Sequence, residues 1–259
     1  MLAIISDIHS NLEALKAVLS DIDSRDVSAV YCLGDVLGYG PDPGPCLDLL
    51  IERTRVTLMG NHDFAVLYEP NRFNIGAEAA CFWTRRQLNE EPDTELRGRR
   101  WDFLGSLPIK HVIEPDEEVC EEAVLVHGSP RRPVNEYVFP DDVFSSPGKM
   151  QTAFDRFGSL CFMGHTHVPG VFLDTPTPDF YGPEELEDGY VVEPGRKALI
   201  NVGSVGQPRD GDPRACYTLV DDDVVRFVRV EYDARATAEK VSAIAELDDF
   251  LGTRLLEGR

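Results

Sequence analysis

Carboxylate, amide and imidazole groups fall in five short blocks along the chain. They are Asp7-Ile8-His9, Gly34-Asp35, Gly60-Asn61-His62-Asp63, His127-Gly128 and Gly164-His165-Thr166-His167. Five of the six histidines lie in these blocks. A donor set of imidazole nitrogen with carboxylate and amide oxygen suits a hard or borderline divalent ion such as manganese, iron, zinc or magnesium. It does not suit copper(I) or an iron–sulfur cluster, which need thiolate ligands. Each block alone has an ordinary explanation: Asp7 could cap a helix, Asn61 could fill a turn, and His165 could be a hydrogen-bonded core residue. Five blocks in series, most with a glycine that lets the backbone turn sharply, point instead to one metal-binding crevice.

The segments before these blocks are built to position them. Leu2 to Ser6 is an apolar run ending at Asp7 and predicts a buried strand. Asn11 can cap a following helix whose inward stripe is Leu12, Leu15, Leu19 and Ile22. A strand from Val27 to Leu33 ends at Gly34-Asp35, a helix runs through Cys46 to Ile51, and a strand from Val56 to Met59 precedes Asn61. That βαβαβ rhythm predicts an α/β protein with parallel strands, whose ends open on a common crevice. Further strands are expected at Ala123 to Val126, Leu160 to Met163, Val171 to Leu173 and Ala198 to Val202. A hairpin should pair Tyr217–Val220 with Val224–Val230, and a closing helix should run from Ala234 to Leu256. Phe64 to Pro108 reads as a helical insertion, and the Pro- and acid-rich stretch from Asp174 to Gly195 as an exposed loop.

With 259 residues, 42% of them hydrophobic, the chain can bury a sizeable core, and one domain spanning 1–259 is expected. The formal charge of −21 argues against a nucleic-acid-binding surface, because a polyanion would be repelled. A site for phosphate then needs local positive charge, which divalent ions can supply within an acidic shell. There is no membrane-spanning apolar run, and a cytoplasmic location is expected. The six cysteines form no C-x-x-C pair and read as reduced core thiols. The composition leaves a monomer and a homo-oligomer equally open.

The order D-x-H, G-D, G-N-H-D, H, G-H-x-H resembles the signature of the calcineurin-like metallophosphoesterases, here spanning Asp7 to His167. The strings GDVLGYGPDP (34–43), HGSPR (127–131) and NVGSVGQPRD (201–210) are similar to a bacterial and archaeal branch grouped with diadenosine tetraphosphatases and protein phosphatases. The resemblance implies a four-layer αββα sandwich and two divalent ions, with manganese favoured. It implies Asp7, His9 and His167 on one ion, Asn61, His127 and His165 on the other, and Asp35 between them. His62 would face the substrate as a catalytic residue, and Asp63 would stand beside it as a candidate, with a supporting or capping role equally open. Arg131 and Arg209 are candidate phosphate ligands and Asn201 a candidate at the pocket rim. His111 lies outside every block and reads as structural.

The chemistry so implied is attack in line on phosphorus by water activated between two cations. The expected activity is that of a phosphodiesterase or dinucleoside polyphosphate hydrolase acting on a small phosphorylated or nucleotide substrate. One departure bears on this choice. Gly38 and Tyr39 stand where serine/threonine protein phosphatases carry an aspartate and an arginine, which ranks phosphoprotein hydrolysis below a nucleotide or small phosphodiester substrate and leaves a phosphomonoesterase or protein phosphatase as the second reading. A non-catalytic scaffold of the same fold is the alternative from another class, and scaffolds of that kind typically lack some of the ligands present here.

Overall fold

Alternate residues of the first strand serve two different interiors, and that division sets the whole architecture. The computed structural model describes residues 1–115, 121–186 and 188–259. In β1 (Leu2–Ile5), Ala3 and Ile5 face the amphipathic helix α1 (Leu12–Asp23), whereas Leu2 and Ile4 face the opposite side. Asn11 caps α1 by accepting the Ala14 N–H at 3.2 Å, and Leu15, Leu19 and Ile22 form its buried stripe. The pattern repeats in β2 (Ala29–Cys32), followed by α2 (Pro43–Arg53) and the short β3 (Val56–Thr57). The next stretch holds three helices joined by loops: α3 (Asn61–Leu67), α4 (Ile75–Asn89) and α5 (Thr94–Ser106).

The chain then builds a second sheet from β4 (Lys110–Ile113) and β5 (Ala123–Val126). Two short helices, α6 (Asp142–Ser145) and α7 (Pro147–Phe154), come next, followed by β6 (Leu160–Met163) and β7 (Gly170–Leu173). β8 (Asp179–Tyr181), β9 (Tyr190–Val191) and β10 (Ala198–Asn201) precede a hairpin of β11 (Ala215–Asp221) and β12 (Val224–Val230), and α8 (Ala234–Ser242) and α9 (Asp249–Thr253) close the chain. The first sheet has the order β3-β2-β1-β11-β12-β9, and the second β4-β5-β6-β10-β7-β8. The sheets share one apolar interior, in which Leu2, Ile4 and Leu33 meet Leu125, Phe162 and Ile200. Helices cover the outer face of each: α1, α2, α4 and α5 over the first, α6 and α7 over the second. The result is the α/β, four-layer αββα sandwich. Strand burial on both faces explains why most of these segments are continuous apolar runs instead of alternating ones.

Several local expectations need correction. The stretch from Asp174 to Gly195 contributes an edge strand to each sheet, β8 and β9, because Tyr181 and Tyr190 have apolar faces to bury. The expected closing helix is broken, with Ala243 ending α8 and Asp248 capping α9 through the Phe250 N–H at 2.9 Å. β4 and the helices α6 and α7 are additions that the sequence pattern does not announce. Five cysteines are buried and unbridged, while Cys120 lies outside the described residues. No helix among the described residues is long and apolar enough to cross a membrane.

A buried cation ties α5 to α2 within the helical layer. Arg100 of α5 is 6% exposed, and it donates to Asp48 of α2 at 2.9 and 2.6 Å and to Glu91 at 2.8 Å. Replacing Arg100 by Met leaves two half-buried carboxylates facing each other without a cation. The expected loss is about 3 kcal/mol of unfolding free energy. It should show as a lower urea midpoint at unchanged slope.

Candidate metal centre

The C-terminal ends of the parallel strands in both sheets open on one crevice. Asp7 follows β1, Asp35 follows β2 and Asn61 follows β3, while His127 follows β5 and His165 and His167 follow β6. The turns there are strained. Asp7 (φ 54°), His9 (47°), Asp35 (51°), His165 (67°) and His167 (63°) all adopt the left-handed region. Each such residue costs on the order of 1 kcal/mol, and they persist because surrounding structure dictates them. Gly60 is required here for space, since a Cβ on it would collide with the Asp35 carboxylate.

Two groups of donor atoms result. Asp7 Oδ1, His9 Nε2 and His167 Nε2 are separated by 3.2 to 3.8 Å. His127 Nε2 stands 3.1 Å from Asn61 Oδ1, 3.2 Å from His165 Nδ1 and 3.3 Å from Asp35 Oδ2. Asp35 Oδ2 is also 3.8 Å from His9 Nε2, so it belongs to both groups. Ligands about 2.1 Å from an ion are separated by roughly 3.0–3.4 Å along the edges of a coordination polyhedron. The spacings around His127 and His167 fall in that range, and the two 3.8 Å separations from His9 Nε2 lie just above it.

Ring orientation fits the same purpose. Nδ1–H of His9 donates to Leu37 O at 3.0 Å, that of His127 to Leu33 O at 3.1 Å, and that of His167 to Gln207 O. These bonds fix each ring with Nε2 aimed at the crevice, where it can take a proton or a metal ion. Asp7 Oδ2 and Asp35 Oδ1 accept the N–H groups of His165 and His62 at 3.0 and 2.8 Å. Asp7 Oδ1 is buried with no hydrogen-bond partner among the described residues. A buried carboxylate oxygen without a donor is costly unless a cation faces it.

Electrostatics point the same way. Burial pushes the Asp7 and Asp35 carboxyls up, but facing histidines overcome it and hold both well below the usual range. For His127 burial opposes protonation, yet the Asp35 charge holds its pKa up at about 9. Burial and the His127 charge push His165 down to about 3. Two ionised carboxylates at the centre therefore demand positive charge, and a proton on His127 supplies it where a metal ion would do so better. The residues fit divalent metal.

His62 reaches the centre. One of its ring nitrogens lies within 4.8 Å of ligand atoms of His9 and Asp35, and burial above all pushes its pKa down to about 4. Its Nδ1 lies 3.7 Å from Cys81 Sγ, and a Cβ on Gly38 would collide with it. Asp63 has no such reach. Its oxygens accept the Leu37 and Gly60 N–H groups at 3.1 and 3.0 Å, which clamps the turns after β2 and β3 together. Asn201 is also withdrawn from the rim. It is fully buried and bonds Gly164 O, Thr166 Oγ1 and Gly203 N, bracing the loop that bears His165 and His167. Arg131 turns to Glu136 at 3.5 Å, and its neighbour Arg132 lines the cavity instead. Arg209 stays beside the site, bonded to Gln207 Oε1 and 5.8 Å from the Tyr39 ring centroid. His111 lies in β4, stacked on Tyr31 at 5.9 Å and away from the site.

A cavity of about 470 Å³ opens onto Asn61, His62 and His165. Aromatic rings frame its inner end: Tyr39 lies 4.4 Å and Phe73 4.7 Å from His62, and Tyr137 stacks on His165 at 3.8 Å. Sequence reading missed Tyr137, Arg132 and Phe73 because they sit in irregular loops with no periodicity to assign them. Their only sequence signal is proximity to the histidine blocks.

Comparison with known proteins agrees with this geometry. The profile described as Calcineurin-like phosphoesterase superfamily domain matches residues 1–223. The uncharacterized protein MJ0912 of Methanocaldococcus jannaschii is 38% identical over all of this chain and 98% of its own. The crystal structure of a metallophosphoesterase from Sphaerobacter thermophilus is 36% identical, with a TM-score of 0.79 over 100% of this chain and 98% of that one. The hypothetical protein PH1004 of Pyrococcus horikoshii, 20% identical, shares the fold with a TM-score of 0.74 over 100% and 99% of the two chains. Donor geometry, motif order and full-length similarity thus converge, and the chain belongs to the calcineurin-like phosphoesterase superfamily.

Proposed function

We propose that the chain is a two-metal phosphohydrolase, acting as one domain on a phosphodiester or phosphoanhydride. The observation behind this reading is Asp35 Oδ2, placed between His9 Nε2 at 3.8 Å and His127 Nε2 at 3.3 Å. Asp7, His9 and His167 would hold one ion, and Asn61, His127 and His165 the other. Asp35 would offer its carboxylate to both, while its Oδ1 also accepts the His62 N–H and so fixes its orientation. Bound there, two divalent ions supply Lewis-acid charge for phosphoryl oxygens and bring the pKa of water toward about 7. We favour manganese, which accepts this mixture of nitrogen and oxygen donors.

The remaining work falls to the chain's own residues. Burial drives the Cys81 thiol up to about 12, so it stays protonated and can donate toward His62 Nδ1. The ring's own proton then sits on Nε2, from which it can be donated to a phosphoryl or leaving oxygen. Asn61 and His165 present the reacting end of the cavity, and Arg209 adds charge beside it. Phosphomonoesters and phosphoproteins rank below, because Gly38 packs its backbone against His62 where a carboxylate partner would be needed. The complete donor set speaks against a non-catalytic scaffold. Five buried, unbridged thiols suit a reducing, cytoplasmic setting.

The test is metal analysis with turnover. Protein loaded with manganese is expected to hold two ions per chain, to melt at higher temperature than stripped protein, and to hydrolyse bis-p-nitrophenyl phosphate. Two bound ions without hydrolysis of any ester would leave a metal-binding scaffold; no bound ion would sink the proposal.

A further inference from the structure

We infer that Tyr39 and Tyr137 are catalytic residues, whose hydroxyls act with Arg209 as donors to the non-bridging oxygens of the phosphoryl group under attack. This rests on the hydrolase reading above and deepens it, adding two phenols from outside the ligand blocks to the groups that meet the transition state.

The two rings stand against different halves of the centre. Tyr39 lies 4.8 Å from the ring of His9, in one donor group, and Tyr137 lies 3.8 Å from that of His165, in the other. Both line the cavity beside Asn61 and His62. Packing fixes the rings: Tyr39 also meets His62 at 4.4 Å, and Tyr137 also stacks on Phe139 at 5.5 Å. Tyr39 is held there at a cost. Its φ of 60° lies in the left-handed region that a bulky side chain rarely adopts, and the Gly40 N–H donates to His9 O at 3.0 Å, keeping the loop on that residue.

The hydroxyls are free to donate into the site. Arg209 faces the Tyr39 hydroxyl and can only donate, so the phenol oxygen accepts and its proton points elsewhere. The Tyr137 hydroxyl feels the charge of the same guanidinium and has no hydrogen-bond partner among the described residues. Burial above all pushes both phenols above their usual range, so both keep their protons. Arg209 is held by a neutral partner, Gln207 Oε1, at 3.2 and 2.6 Å, and Gln207 O in turn accepts from His167 Nδ1. Its charge is therefore not cancelled by that partner, and its position is tied to a residue of the donor set. One cation and two neutral donors around a phosphoryl group serve oxygens whose charge and geometry change as phosphorus becomes five-coordinate, so these contacts strengthen in the transition state. A purely structural role would use the rings and not the hydroxyls.

Tyr39→Phe and Tyr137→Phe test this, since each keeps the ring and removes only the hydroxyl. Each is expected to lower kcat on bis-p-nitrophenyl phosphate about 10- to 100-fold, with KM moving by no more than roughly threefold. Metal analysis should still find two ions per chain, and circular dichroism should be unchanged. Calorimetry on the manganese-loaded full chain gives a readout independent of turnover. Orthovanadate, which takes up the five-coordinate geometry of the transition state, should bind each variant about tenfold or more weakly, and phosphate should lose less. Wild-type kcat in either variant would overturn the assignment of that residue. Equal weakening of phosphate and vanadate, or a fall in kcat that follows loss of an ion, would overturn the catalytic role and leave the hydrolase reading standing. Wild-type protein that binds vanadate through these hydroxyls yet hydrolyses no ester would refute the hydrolase reading instead.

Discussion

Asp35→Asn is expected to lower kcat on bis-p-nitrophenyl phosphate by a factor of ~10³ or more, with metal content falling from two ions per chain toward one. The physical reason is charge. Two dications at the ~3.5–4 Å separation of two-metal hydrolases repel strongly, since even unit charges 4 Å apart interact by about 4 kcal/mol at an effective dielectric of 20. Among the described residues, Asp35 is the carboxylate whose oxygen stands in reach of both donor groups. An amide keeps the shape but loses the charge that offsets this repulsion, and with its one oxygen on the His62 N–H it turns an NH2 group toward the donors. The replacement can still accept the His62 N–H, so the turn and the sheet it follows should survive. Metal analysis, kcat and circular dichroism on one preparation check all three statements. Wild-type turnover with two ions retained would show that the shared-carboxylate assignment is wrong.

The same residue shows why so much of the site is legible in the sequence. Asp35 follows an apolar strand and itself adopts φ 51°, a left-handed conformation that a short, polar side chain such as aspartate tolerates better than most. Such a position announces itself, because strand length, the glycine before it and the residue type all agree. The same holds for Asp7, Asn61, His127 and the His165–His167 pair, each at the end of a parallel strand. What sequence cannot supply is direction. Arg131 and Asn201 follow motif strings closely, yet one turns to Glu136 and the other is consumed by three internal hydrogen bonds. Asp63 sits next to His62 in sequence, but one helical step carries its carboxylate under the ligand loops. Edge strands such as β8 and β9 stay hidden because they are only two or three residues long, and β9 also finds its partner, β12, far along the chain.

His62→Ala is expected to reduce kcat by ~10²- to 10⁴-fold while leaving two ions per chain, because the ligand sets proposed for the two ions are complete without it. The size of the loss should depend on what the imidazole does. If Nε2–H protonates the leaving oxygen, the variant should suffer far more on a diester with an alkoxide leaving group than on one releasing p-nitrophenolate, which departs without help. If the same N–H only neutralises a phosphoryl oxygen, both substrates should slow by the same factor, since that charge develops whichever group leaves. The environment favours a hydrogen-bond donor over a strong acid: burial keeps the ring neutral, and Nδ1 is closed off by Gly38 and Cys81, with no carboxylate against it among the described residues. We therefore expect equal loss on the two leaving groups. A loss confined to the alkoxide would assign proton transfer to His62, and a variant that loses metal in parallel with kcat would make it a ligand instead.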